Sequence, residues 1–176
     1  ELGVENMNGG DTTISDMYTS LVNVAPKVMQ WGNELQVYAS NQNEFMYANG
    51  FAGPFLGGYA KVIETFERTE KPRRLKPVNV YYHFYSTLTI PAERSLQKIL
   101  DWCWTQPLHY TTATHYTRLV KDSRTATVRL LGRGHWMLSA GPNLTTWRLP
   151  LKAGVPDVGN SLGILGYKLE GDQLYI

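Results

Sequence analysis

Residues 1–122 alternate between short apolar runs and longer stretches in which apolar positions recur every three or four residues. The short runs at 2–7, 35–39 and 78–82 predict strands, and the first two are followed by polar loops. Residues 55–66 and 91–103 have helical spacing, and the second of these helices is expected to end before Pro107. A short strand at 108–112 and a helix at 114–120 complete this part.

Alternating strands and helix-length connections are typical of a parallel sheet or a (β/α) barrel. We therefore predict an α/β fold in which residues 1–122 form a partial (β/α) barrel. After Asp122 the pattern changes to short strand-like runs separated by Gly, Pro and Asn, which predicts a small antiparallel β-module over residues 123–176. These runs lie at 125–131, 135–139, 144–149 and 164–170.

Polar side chains follow three of the predicted strands. Asn8 and Asp11 follow the first strand, Asn43 and Glu44 follow the second, and His83 stands at the end of the third. The carboxyl ends of parallel strands meet at one rim, where active sites of α/β folds gather. The sequence thus predicts one site, with the alternative that each Asn and Asp is a turn residue bonded to its own backbone.

His83 has aromatic neighbours in the sequence, among them Tyr82 and Phe84. Aromatic side chains suit the apolar face of a sugar ring, and an imidazole near neutral pKa can act as a general acid or base. These properties make His83 the catalytic candidate and Tyr82 a substrate-binding candidate. A buried structural histidine is the alternative.

Composition excludes several classes of function. A net charge of +2 gives no support to nucleic-acid binding, and no apolar run approaches the length of a membrane helix. The single Cys103 excludes an internal disulfide and a cysteine-based zinc site, and its helical pattern predicts core packing. Lipase-type, phosphate-loop and dinucleotide motifs are missing from the sequence.

The remaining histidines do not complete a metal site within this chain. They lack the i, i+3 or i, i+4 spacing of ligands that share a helix. His135 is most typical of a hairpin-turn residue. These histidines are His109, His115 and His135.

Several segments together resemble the C-terminal region of PelA-type proteins of bacterial Pel exopolysaccharide systems. Among them are Asn-Gln-Asn-Glu at 41–44, Pro-Arg-Arg-Leu-Lys-Pro at 72–77 and Tyr-Tyr-His-Phe-Tyr-Ser at 81–86. The resemblance to this family also includes segments 6–12, 53–55 and 62–67. It extends to 148–150 and 163–167 near the end of the sequence. The likeness covers most of residues 1–122.

The resemblance implies a polysaccharide deacetylase of the NodB-homology kind. Such a hydrolase has a deformed (β/α) barrel, cleaves the C–N amide bond of N-acetylated amino sugars, and works in the periplasm or outside the cell. The family uses an Asp-His-His site for a divalent metal, by preference zinc, with a second Asp as base and a late His as general acid. His83 matches that late His.

The sequence departs from the family because it has neither the early Asp-Asp strand motif nor the His-x-x-x-His motif. We expect both upstream, in a missing N-terminal part of the same protein that packs against this chain. The chain alone should then bind no catalytic metal tightly and should not deacetylate the amino-sugar polysaccharide.

Two alternatives come from other classes. One is a noncatalytic carbohydrate-binding or assembly module of an exopolysaccharide system, in which Trp136, Trp147 and Tyr82 stack on sugars. The other is a complete glycosidase that uses Glu44, for which Asp11 is the available second carboxylate.

Overall fold

The computed structural model describes residues 4–11, 27–41, 59–68, 77–84 and 88–176. The chain divides into two compact units, Glu1–Val120 and Lys121–Ile176. The α-helices within the described residues are α1 (Val62–Arg68), α2 (Ile90–Thr105) and α3 (Ala113–Thr125). The strands there are β1 (Met7–Asp11), β2 (Lys27–Trp31), β3 (Glu34–Asn41), β4 (Thr127–Gly132), β5 (His135–Ser139), β6 (Arg148–Pro150), β7 (Lys168–Glu170) and β8 (Gln173–Tyr175).

The first unit contains a three-stranded mixed sheet in the order β1-β3-β2. Strand β1 runs parallel to β3, whereas β2 runs antiparallel to it. A two-residue turn joins β2 to β3, and Gly32 supplies the positive φ of +58° that such a turn requires at its first central position. The central strand β3 buries Val37 and Ala39, which alternate along it as one face of a strand should.

Helix α3 covers the sheet. Tyr116 and Val120, four residues apart on one helical face, pack with Val37 into a buried cluster that Met7 and Val28 extend. The helix begins with a side-chain cap, because Thr112 Oγ1 accepts the backbone N–H of His115 at 3.1 Å. Burial raises the pKa of the Tyr116 hydroxyl.

A second cluster joins α1 to α2. A 3₁₀ turn at Tyr59–Lys61 leads into α1. The buried side chains of this turn and of α1 pack against those of α2. The Phe66 and Trp102 rings stack with centroids 5.6 Å apart. Cys103 packs against this cluster, and burial raises the pKa of its thiol. The buried members are Tyr59, Val62, Phe66, Leu96 and Ile99.

The second unit consists of short antiparallel pairs. Strands β4 and β5 form a hairpin whose two loop residues, Arg133 and Gly134, have positive φ angles of 45° and 79°, as a tight hairpin turn demands. Strands β6, β8 and β7 form a three-stranded sheet with β8 in the centre. Leu174 on β8 is the one buried residue among 121–176, all of which the structure describes.

A carboxylate organises the turn that precedes β6. Asp122 Oδ2 accepts the backbone N–H of Asn143 at 2.7 Å and the Nδ2 amide of the same residue at 2.9 Å. The Asp122 carboxylate lies directly against Gly141, where a Cβ would overlap it. A side chain at position 141 would therefore force the Asp122 carboxylate to move.

The structure corrects three strand predictions. The run 8–11, interpreted as a loop, is most of β1, because pairing with β3 overrides the low strand propensity of Asn and Gly. Residues 78–82 are not in a strand; Val78 and Val80 pack on the cluster between α1 and α2. Residues 108–112 are an irregular connection that ends in the cap of α3. The partial barrel stays a prediction.

Other predictions are confirmed. The strand at 35–39 lies within β3, the helix at 91–103 lies within α2, and 135–139 is β5. Helix α2 ends at Thr105, before Pro107, where the backbone N–H of Gln106 closes on the Cys103 carbonyl at 3.1 Å. The segment 42–58 lies outside the described residues.

Candidate functional site

The first part of the candidate site is the edge of the sheet at which β1 and β3 end. The two strands are parallel, Asn8 is aligned with Tyr38, and the final residues Asp11 and Asn41 are in register. The carboxyl ends of both strands therefore lie side by side at one edge, the position that binds ligands in parallel sheets. Asn43 and Glu44, which follow β3 in the sequence, lie outside the described residues.

Side chains before β1 fix its register. Asn6 Nδ2 donates to Gln36 Oε1 at 2.7 Å, and Gln36 Nε2 donates back to Asn6 Oδ1 at 3.1 Å. Because both amide groups are used in a reciprocal pair, a shift of β1 by one residue along β3 would cost two hydrogen bonds. Arg118 on α3 adds an ion pair with Glu5, with a nitrogen–oxygen distance of 3.4 Å.

The second part is His83 and the tyrosine two residues before it. The Tyr81 hydroxyl lies 3.0 Å from His83 Nε2, and the two rings meet edge to face with centroids 5.0 Å apart. The imidazole is half-buried. A hydroxyl partner at one ring nitrogen fixes the plane of the imidazole, as orienting groups do for acid and base histidines.

Buried contacts hold the segment that carries this pair. The hydroxyl of the buried Tyr59 donates to the Tyr81 carbonyl at 2.5 Å, and Val78 and Val80 pack against the cluster between α1 and α2. His83 is thus positioned by an extended segment packed on helices, and not by the end of a strand as predicted. This is a correction to the predicted geometry of the site.

The aromatic residues around His83 are exposed. Tyr82 is about half exposed, and Phe84 is completely exposed. Their rings are available for a ligand, which is what stacking on a sugar requires. The structure therefore places the backbone of Asp11 beside that of Asn41, and the Tyr81 hydroxyl beside the His83 ring. A common rim that contains all of these residues stays a prediction.

Sequence reasoning missed the roles of Tyr81 and Tyr59. In an extended segment residues i and i+2 share a face, so Tyr81 and His83 were placed to meet by their spacing alone. The bond from Tyr59 to the Tyr81 backbone joins residues 22 positions apart. No local pattern predicts such a contact.

The described residues do not supply a metal centre. Within them, no three His, Cys, Asp or Glu side chains come together closely enough to hold an ion. His109, His115 and His135 are each exposed, and His135 opens β5 beside the hairpin turn. These residues do not fit the Asp-His-His set that the resemblance implies.

Comparison with protein families, with characterised proteins and with solved structures gave no significant match. Among the helices of the described ranges, none combines the length and the apolar character needed to cross a bilayer.

Proposed function

We propose that this chain is the C-terminal portion of a metal-dependent polysaccharide N-deacetylase, a periplasmic or secreted hydrolase of a Pel-type exopolysaccharide system. Its substrate would be a polymer of N-acetylated amino sugars. The proposal begins from the resemblance of residues 41–44, 72–77 and 81–86 to that family. The observation that carries it is the half-buried His83 whose ring is oriented by the Tyr81 hydroxyl.

His83 would act as the general acid. Hydrolysis of an acetamide expels an amine, which is a poor leaving group until its nitrogen is protonated. A histidine fixed beside the scissile bond supplies that proton, an effect typically of about 10²- to 10⁴-fold on rate. Tyr81 would position the imidazole, while the exposed Tyr82 offers a ring surface for the sugar.

The β1–β3 edge would contribute to the substrate site. Two in-register parallel strand ends bring the backbone positions of Asp11 and Asn41 together, and Asn43 and Glu44 belong to the same predicted surface. Asn8, predicted on that surface too, instead lies near the start of β1, three residues before this edge. The metal, with zinc the preferred ion, would be bound by residues upstream of this sequence and would polarise the acetamide carbonyl. The missing N-terminal part and the amino-sugar polymer are then the two partners.

The test uses the longer protein to which the proposal assigns this chain. His83→Ala should lower the turnover of N-acetylated oligosaccharide by about 10²-fold or more while metal content stays unchanged. Tyr81→Phe, which keeps the ring and removes the hydroxyl, should lower turnover by less. Unchanged turnover in His83→Ala would remove His83 from the mechanism, and deacetylation by the 176-residue chain alone would contradict the proposal.

A noncatalytic carbohydrate-binding module is the second candidate. Tyr82 in the first unit and Trp136 in the second are each about half exposed, so each ring is separately available to stack on a sugar. Trp147 gives this candidate less support, because Trp147 is half-buried. Its backbone also forms two hydrogen bonds with the backbone of Ile176, with nitrogen–oxygen distances of 2.8 and 2.9 Å. The residues encoded upstream separate the two candidates: an Asp-Asp strand and a His-x-x-x-His segment belong to the deacetylase.

A further inference from the structure

An aromatic pair that has no role in the site described above lies at the end of α2 and in the connection that follows it. Trp104 is 74% exposed and Tyr110 is 66% exposed, yet their rings contact each other with centroids 5.9 Å apart and planes tilted by 49°. Large aromatic side chains gain most free energy when they are buried, so two that remain exposed side by side indicate a binding surface.

The backbone between the two rings is ordered by short hydrogen bonds. The N–H of Gln106 ends the helix on the Cys103 carbonyl at 3.1 Å, and the N–H of Leu108 bonds the Gln106 carbonyl at 2.8 Å across Pro107. This tight turn lies between Trp104 and Tyr110 in the chain, whose rings are in contact. Thr112, two residues after Tyr110, caps α3, so both ends of the connection are anchored.

Uncharged polar groups accompany the two rings. Thr105 Oγ1 donates to the Trp102 carbonyl at 2.7 Å and accepts from Gln106 Nε2 at 2.9 Å. Residues 102–117 contain five Thr and two His but no Asp, Glu, Lys or Arg. The carboxylate that precedes this stretch, Asp101, is engaged by Gln97 Nε2 at 2.6 Å.

We propose that the Trp104–Tyr110 pair is a binding subsite for neutral sugar units, namely N-acetylated amino sugars and not the corresponding free amines. The C–H faces of a pyranose pack against aromatic rings, and its hydroxyls and acetamide need uncharged hydrogen-bonding groups. A deacetylated unit carries an ammonium group at neutral pH, whose binding calls for carboxylates, and residues 102–117 provide none. The choice of an amino sugar as the ligand rests on the proposed function. The assignment of Trp104 and Tyr110 as a sugar-binding site does not depend on it.

Such a subsite would distinguish acetylated from deacetylated segments of the polymer. Acetylated segments would be retained at Trp104 and Tyr110, whereas segments already converted to amines would be released. The role assigned to the subsite is binding, and it is separate from the bond cleavage assigned to His83.

The test measures binding by the 176-residue chain, with a hexamer of N-acetylglucosamine and a hexamer of glucosamine as probes in calorimetry. Tighter binding of the acetylated hexamer is expected. Trp104→Ala and Tyr110→Ala should each weaken it about threefold to tenfold, whereas Trp104→Phe should lose less. Trp31→Ala is the matched control, since Trp31 is 87% exposed in the same unit.

Several results would overturn the proposal: no binding of either hexamer, preference for the glucosamine hexamer, unchanged binding in both alanine variants, or an equal loss in Trp31→Ala. Circular dichroism and thermal unfolding confirm that each variant is folded. If Trp104→Ala instead dissociates a dimer in sedimentation and leaves sugar binding unchanged, the pair is a protein contact. Hydrolysis is not measured, so loss of this subsite would leave the role of His83 standing.

Discussion

The two units are stabilised in different ways. The described part of the first unit contains two buried clusters, each formed where a helix covers a strand or another helix. The second unit buries Leu174 alone and keeps most of its large apolar side chains at least partly exposed. Its order comes from paired backbone, from glycines in left-handed turns and from the bonds of Asp122 to Asn143. Apolar composition alone therefore does not determine how much of a unit is buried. In the first unit, burial comes from helices that pack on the sheet or on each other.

The largest effect is expected from Leu174→Ala. Removing a buried leucine side chain costs about 2–5 kcal/mol, and no second buried residue in 121–176 compensates. We expect hydrogen exchange to show loss of protection throughout β6, β7 and β8. Leu165→Ala is the control, because Leu165 is completely exposed. If β8 stays protected in Leu174→Ala, the comparison between the two units is wrong.

Ile99→Ala should cost a similar free energy, about 2–5 kcal/mol, yet leave the first unit folded. Ile99 is completely buried in the cluster between α1 and α2, but the cluster between the sheet and α3 is separate. Urea unfolding measures the loss. Leu100→Ala, on the partly exposed neighbouring position of the same helix, should cost less, and an equal loss at both positions would contradict this packing.

Gly141→Ala tests the polar organisation of the second unit. The added Cβ would displace the Asp122 carboxylate and break both of its bonds from Asn143, at a cost of about 1–3 kcal/mol. Unfolding of the second unit by urea is the measurement. Gly166→Ala, where a Cβ meets no atom within 4 Å, should change little. Equal stability of the two variants would show that the Asp122 contact contributes nothing.

The smallest effect concerns Asp157. Hydrogen bonds from the Asn160 side chain and backbone hold the pKa of this exposed carboxyl below its ordinary value of 3.8. A lowered pKa stabilises the folded state above pH 3.8, and the contribution disappears as pH falls through the folded pKa. The amide signal of Asn160 in NMR should shift over that acidic range. In Asp157→Asn the same signal should not titrate.

Local pattern predicted those elements whose own side chains determine them. Helix α2 and strand β3 follow from the spacing of Leu96 and Ile99 and of Val37 and Ala39, which are the buried positions. Strand β1 could not be predicted from its Asn-Gly-Gly core, because its pairing partner lies some 30 positions away. The β-branched run at 78–82 shows the reverse: strand composition without a strand, since packing on helices satisfies Val78 and Val80.

The same distinction applies to the candidate site. The aromatic setting of His83 follows from the order of residues along the chain. The alignment of Asp11 with Asn41 does not, because it depends on the pairing of β1 with a strand some 30 positions away. The support from Tyr59 and the convergence of Trp104 with Tyr110 depend on contacts made across turns and between separate elements, and local spacing does not encode them.

The most direct test of the proposal that His83 is the general acid of a deacetylase compares two leaving groups in the longer protein to which that proposal assigns this chain. An amide expels an amine that needs a proton, whereas an aryl acetate expels a phenolate that does not. His83→Ala should lower hydrolysis of the N-acetylated oligosaccharide by about 10²-fold or more and hydrolysis of the aryl acetate by less than about tenfold. Equal losses on both substrates, or no loss on either, would contradict the account.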